Sequence, residues 1–137
     1  MKEAKQIFND WIEYVNNSDV ESLLNLYDRN AILIPTFSNN ILNTPNKLRE
    51  YFENLGTRDN LSITEDKENL IIQDLENRIF SLSGIYYWHF KVDAVMQKFE
   101  ARFSYLFDIS KANPILHHHS TPLLEEHPCQ SVKLLFF

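Results

Sequence analysis

Cysteine is almost absent from this chain: Cys129 is the single thiol in 137 residues. No intrachain disulfide can form, so the fold must be held by packing, and a reducing, cytoplasmic location is the expectation. Glycine is nearly as scarce, at two residues. That excludes Gly-rich phosphate loops and dinucleotide fingerprints, and no nucleophile elbow is present either, so no cofactor is implied. Long apolar runs are missing too, the longest pieces being "AILIP" and "LLFF". A membrane-spanning helix needs about 20 such residues, and the opening "MKEAKQIFND" lacks the apolar stretch of a secretion signal, so no membrane partner is expected. Thirteen basic side chains face nineteen acidic ones for a formal charge of -6, without a Lys/Arg cluster. Nucleic acid is therefore not an expected partner.

What the chain does have is apolar and aromatic content, 44% and 13%, enough for one packed domain at this length. Ala4, Ile7, Phe8, Trp11, Ile12 and Val15 recur at helical spacing and predict an amphipathic helix over residues 3–16. Ser18, with Glu21 three residues on, reads as a capping box opening a second, shorter helix. "AILIPTF" has the density of a buried strand ended or bent by Pro35. Thr44 as N-cap, Pro45 at the first turn, and Leu48, Tyr51, Phe52 and Leu55 on one face predict a third helix, with Gly56 as its C-terminal cap.

Beyond Gly56 the character changes. "LSITED", "NLIIQDL", "RIFSLSGIYYWHFKV", "QKFEARFSYLFDI" and "PILHHHST" are rich in Ile, Phe, Tyr and Trp and read as antiparallel strands, with Gly84 expected at a bulge or bend. Helices first and strands afterwards indicate a segregated α+β domain. The domain is expected to cover residues 1–125. The segment 126–137 is a tail of uncertain structure that ends in an apolar run.

The succession "DVESLLNLYDRNAILIP", "TPNKLREYFENL", "EARFSYLF" and "ILHHHST" resembles the association domain of calcium/calmodulin-dependent protein kinase II. That domain is a member of the nuclear transport factor 2-like (SnoaL-like) superfamily. The resemblance spans roughly residues 3–122 and implies a cone: three N-terminal helices packed on a strongly curved antiparallel sheet. No kinase segment precedes it in this sequence, so the chain resembles the stand-alone relatives. Calmodulin binding is not implied, because no basic amphipathic helix is visible.

Arg102 is the residue that stands out. Period-2 alternation puts Phe99, Ala101, Phe103, Tyr105 and Phe107 on one face of its strand and Glu100, Arg102, Ser104 and Leu106 on the other. A guanidinium is charged at any relevant pH, so if buried it needs a partner: a carboxylate ligand, or an acid such as Glu100 or Asp28. The remaining possibility is an exposed position. The resemblance implies the first. It turns Arg102 into a cavity between sheet and helices, together with Tyr86, Trp88, His118 and Ser120, and leaves the aromatic face outside as a subunit interface. Tyr86 and Ser120 stand where the kinase domain carries further arginines, which implies a less cationic pocket.

The three successive histidines read as a strand. His117 and His119 share a face that the resemblance turns toward the interface, and two ligands are too few for zinc; His127 and Cys129 lie on the tail, so no metal site is expected. The functional expectation is a homo-oligomeric module, a homodimer or larger, whose cavity around Arg102 suits a small acidic molecule, without kinase activity. The alternative is a small isomerase, cyclase or dehydratase in which His118 and Tyr86 act as acid and base, since the same cone hosts such enzymes. A scaffold with an empty pocket is the third reading.

Overall fold

The computed structural model describes residues 2–123; the tail, with His127, Cys129 and the terminal apolar run, lies outside the described residues. Helix α1, Ala4–Asn16, buries Ile7, Phe8, Trp11 and Val15 along one stripe, as their spacing dictates. Helix α2, Val20–Leu26, is capped one residue later than the sequence suggests. Asp19, not Ser18, accepts from the Ser22 amide at 3.2 Å. Ser18 takes a left-handed φ of 51° to turn the chain between two closely spaced helices, and so leaves the capping role to its neighbour. Helix α3, Pro45–Gly56, begins as read, with Thr44 Oγ1 accepting from the Lys47 amide at 3.2 Å and Pro45 in the first turn. Gly56 is its last helical residue rather than a left-handed cap; neither glycine has a positive φ.

Among the described residues six strands follow the expected order: β1 Tyr27–Ile34, β2 Ser62–Glu65, β3 Ile71–Asp74, β4 Ile79–Val92, β5 Val95–Asp108 and β6 Ile115–Pro122. They form one sheet in the order β1-β6-β5-β4-β2, with β3 also on β4. Among the described residues only the β1–β6 pairing is parallel; the others are antiparallel. No described helix is long and apolar enough to cross a membrane.

Gly84 is not at a bulge. The β4–β5 register runs unbroken from Ile79 opposite Asp108 to Val92 opposite Val95. Instead the glycine sits where the strands covering β4 change: β3 pairs with Phe80 to Ser83, β2 with Tyr86 to His89, and a 3-10 turn, Lys67–Asn69, crosses between them. A Cβ on Gly84 would stand 2.8 Å from the Asn69 carbonyl oxygen. The residue is needed for close backbone approach, which sequence alone does not distinguish from a bend.

Helix α1 packs on the inner face of the sheet, where Phe8 stacks on Phe103 with centroids 5.1 Å apart and Trp11 stacks on Tyr86 at 5.5 Å. Ala101, Phe103, Tyr105 and Phe107 of β5 are buried there, with Phe99 half-buried beside them. This reverses the orientation implied by the resemblance: the aromatic face of β5 is interior, and the face carrying Arg102 is exterior. Energetics give the reason. Burying each large ring contributes about 1.5–3 kcal/mol, whereas burying a lone guanidinium costs several kcal/mol, so the ring face wins the contact with the helices.

Candidate functional site

The interior between α1, the end of β1 and the sheet holds two neighbouring runs of hydrogen bonds set among aromatic rings. At its centre is His118 on β6, 2% exposed. The β1–β6 pairing places His118 opposite Leu33, and the β5–β6 pairing places it opposite Tyr105. The Tyr27 hydroxyl, at the start of β1, lies 2.8 Å from His118 Nδ1, and the Tyr86 hydroxyl, on β4, lies 3.2 Å from Nε2. Trp11 Nε1 donates to the Tyr27 oxygen at 3.0 Å. At the other end, Trp88 Nε1 donates to Thr36 Oγ1 at 3.2 Å, and the Thr36 and Ser120 hydroxyls share a short hydrogen bond.

Both indoles can only donate, so the Tyr27 oxygen accepts from Trp11, and the Tyr27 hydroxyl shares a second hydrogen bond with His118 Nδ1. His118 Nε2 is paired in turn with the Tyr86 hydroxyl. Each of these groups is satisfied with a neutral imidazole. Burial holds His118 well below the ordinary histidine range, and the neighbouring His117 and His119 push the same way. Burial likewise raises the Tyr27 and Tyr86 hydroxyls far above the ordinary phenol range, against the opposing pull of their hydrogen-bond donors. The site is an uncharged polar cluster.

Of the residues singled out from sequence, Tyr86, Trp88, His118 and Ser120 are all buried on this inner side and lie together. Arg102 is not with them. It is exposed on the outer face, in register with Ile85 on one side and Thr121 on the other, and has no ion pair among the described residues. The expected cavity around it is corrected on both counts. The guanidinium faces away from the helices, and the space enclosed by Trp11, Thr36, Tyr51, Tyr86, Trp88 and His118 is only about 10 Å³. That is barely the room of one water molecule. Bulky rings fill the volume that smaller or shorter side chains would leave for a ligand.

The sequence reading missed Tyr27, Thr36 and the role of the Trp11 indole. Tyr27 falls at the end of a helical pattern and Thr36 just past a proline, and the partners they meet are 91 and 84 residues away. No local spacing announces such contacts. His117 and His119 turn to the outer face as expected, with His119 Nε2 3.1 Å from Thr121 Oγ1. Among the described residues no group of three or more His, Cys, Asp or Glu side chains could hold a metal ion.

Chemically, the arrangement brings a neutral imidazole and a phenol together, the pair a proton-transfer enzyme would use. Yet both ring nitrogens are engaged, and among the described residues no carboxylate lines the enclosed space. Asp10, the buried acid of α1, is committed to Lys2 and Gln6.

Comparison with known proteins follows the architecture. The model of the calcium/calmodulin dependent protein kinase II association domain matches residues 1–122. A Xanthomonas campestris structure described as such an association domain is similar over 91% of each chain, with 19% identity and a TM-score of 0.78. A ketosteroid isomerase-like protein from Erwinia carotovora atroseptica is 8% identical over 88% of this chain and 94% of its own, with a TM-score of 0.73. An NTF2-like protein with a cystatin-like fold from Novosphingobium aromaticivorans is 8% identical over 98% of this chain and 87% of its own, with a TM-score of 0.74. At these identities the structural likenesses establish the nuclear transport factor 2-like fold and nothing finer. No curated protein matches the chain.

Proposed function

We infer that this chain, which belongs to the calcium/calmodulin dependent protein kinase II association domain family, is a cytoplasmic self-assembly module that joins copies of itself through the outer face of its sheet. The observation that carries this reading is the division of labour between the two faces of the sheet. The inner face is filled, with about 10 Å³ left over. The outer face presents Ile32, Ile34, Ile79, Ile85, Tyr87 and Leu106, each only half-buried. Between them stand serines, threonines and histidines rather than a dense field of charge. A broad apolar face thinned of charge is the composition of an interface core.

This assigns the interface to the residues opposite those expected from sequence, since Phe103, Tyr105 and Phe107 are core. A second reading, a small isomerase-, cyclase- or dehydratase-type enzyme, is favoured by the His118–Tyr86 contact inside the fold. It requires the aromatic cluster to open for substrate. Native mass spectrometry separates the two. The assembly reading expects masses at whole multiples of the protomer with no retained small molecule. A protomer carrying a retained molecule of definite mass would overturn it in favour of the second.

A further inference from the structure

We propose that Glu100 and Arg102 form a self-complementary ion pair across a two-fold axis between two copies of this chain, and that this pair fixes the orientation in which the two sheets meet. The proposal rests on the assembly reading above and names a contact within it.

Charge placement on the outer face is the starting point. Over the outward positions 81–89 of β4, 98–106 of β5 and 117–121 of β6, the fixed charges are Lys98, Glu100 and Arg102, at successive outward positions of one strand. Lys98 is already occupied, its ammonium lying 4.2 Å from the centroid of the Tyr87 ring. Neither Glu100 nor Arg102 has a side-chain ion pair among the described residues. They stand side by side on β5, two positions apart with Ala101 between them, about 6.6 Å along the backbone, with side chains directed roughly away from the sheet.

Topology adds the second element. In the order β1-β6-β5-β4-β2, β5 is the middle strand, so a face-to-face association of two such sheets covers it. An isologous contact repeats every interaction: if residue i meets j, then j meets i. A two-fold axis lying between the sheets, perpendicular to β5 and crossing it at Ala101, sets Glu100 of each copy over Arg102 of the other. Sheets pack about 10 Å apart, a gap that a glutamate and an arginine reaching toward each other can span. Rotating the axis to run along the strand would put Arg102 over Arg102 and Glu100 over Glu100. The alternation of sign therefore selects one orientation by attraction and rejects the other by repulsion. The register neighbours of the two residues are Ile85 and Tyr87, uncharged side chains that would shield the pair from water.

The test is a charge swap read by sedimentation equilibrium on the full chain. Arg102→Glu and Glu100→Arg should each weaken dimerisation by at least about tenfold, and the double variant carrying both should return to within about threefold of the parent. Both positions are exposed or half-exposed, so far-ultraviolet circular dichroism of the three variants should match the parent and any loss of association is not one of folding. An assembled parent whose single variants associate equally well, or a double variant as weak as the singles, overturns the ion pair while leaving assembly intact. A parent that stays monomeric overturns the assembly reading and this pair with it.

Discussion

The imidazole of His118 lies flat against the ring of Tyr105, centroids 3.9 Å apart and planes 16° from parallel. The two residues are direct neighbours across β5 and β6, and Trp11 closes the arrangement by meeting the imidazole edge-on at 5.2 Å. Stacking holds the ring plane while Tyr27 and Tyr86 hold its two nitrogens, so the imidazole has neither rotational freedom nor an open nitrogen. A polar group this buried and this fully paired specifies one core arrangement.

Hydroxyl deletions should divide sharply. Tyr27→Phe leaves both the Trp11 indole N–H and His118 Nδ1 without partners, and is expected to destabilise the fold by about 1–3 kcal/mol. Tyr105→Phe removes a buried hydroxyl that has no hydrogen-bond partner among the described residues, and should be neutral or stabilising. Urea denaturation of the two variants side by side decides it; equal losses would show that the network contributes nothing particular.

Acid should act through His118. Its native value lies well below the unfolded one of about 6.5, so between the two the unfolded chain binds a proton that the native chain does not, and stability falls by up to about 1.4 kcal/mol for each unit the pH drops below 6.5. Burial moves His117 and His89 in the same direction, so the quantity to measure is the difference in slope between parent and His118→Gln from pH 7.5 to 5. Parallel slopes would remove His118 as the titrating group.

The two glycines should respond oppositely to a methyl group. Gly84→Ala drives a Cβ to within 2.8 Å of the Asn69 carbonyl oxygen and 3.2 Å of the Phe103 ring, and should cost about 1–3 kcal/mol. Gly56→Ala meets nothing closer than 3.7 Å, at the end of a helix with ordinary φ, and should stabilise by up to about 1 kcal/mol. Denaturant midpoints that move in the same direction would contradict this.

The β4–β5 hairpin carries a correctable strain. Its two turn residues, Asp93 and Ala94, both have left-handed φ, 51° and 64°. Alanine pays about 1–2 kcal/mol for that conformation and glycine almost none, so Ala94→Gly should raise stability by about 1 kcal/mol. An unchanged or lower melting temperature would mean that the turn relaxes in solution.

Much of the fold is legible in the chain because its signals are local. The stripe of Ile7, Phe8, Trp11 and Val15, the Thr44–Pro45 start of α3 and the runs of β-branched and aromatic residues each declare an element within a dozen positions. The candidate site was half legible. Tyr86, Trp88, His118 and Ser120 do converge, but Arg102 does not join them. Period-2 alternation sorts β5 into an aromatic face and an Arg102 face without saying which one the helices cover.

Sequence by itself thus determined the order of helices and strands, the family, and the division of each strand into two faces. Tertiary structure alone decided which face is inside. The register set by the two-residue turn at Asp93 and Ala94 places Tyr86 beside Ala101 and Gly84 beside Phe103. Helix α1 then covers the side where these rings lie, because removing several aromatic surfaces from water outweighs any contact a charged Arg102 could make there.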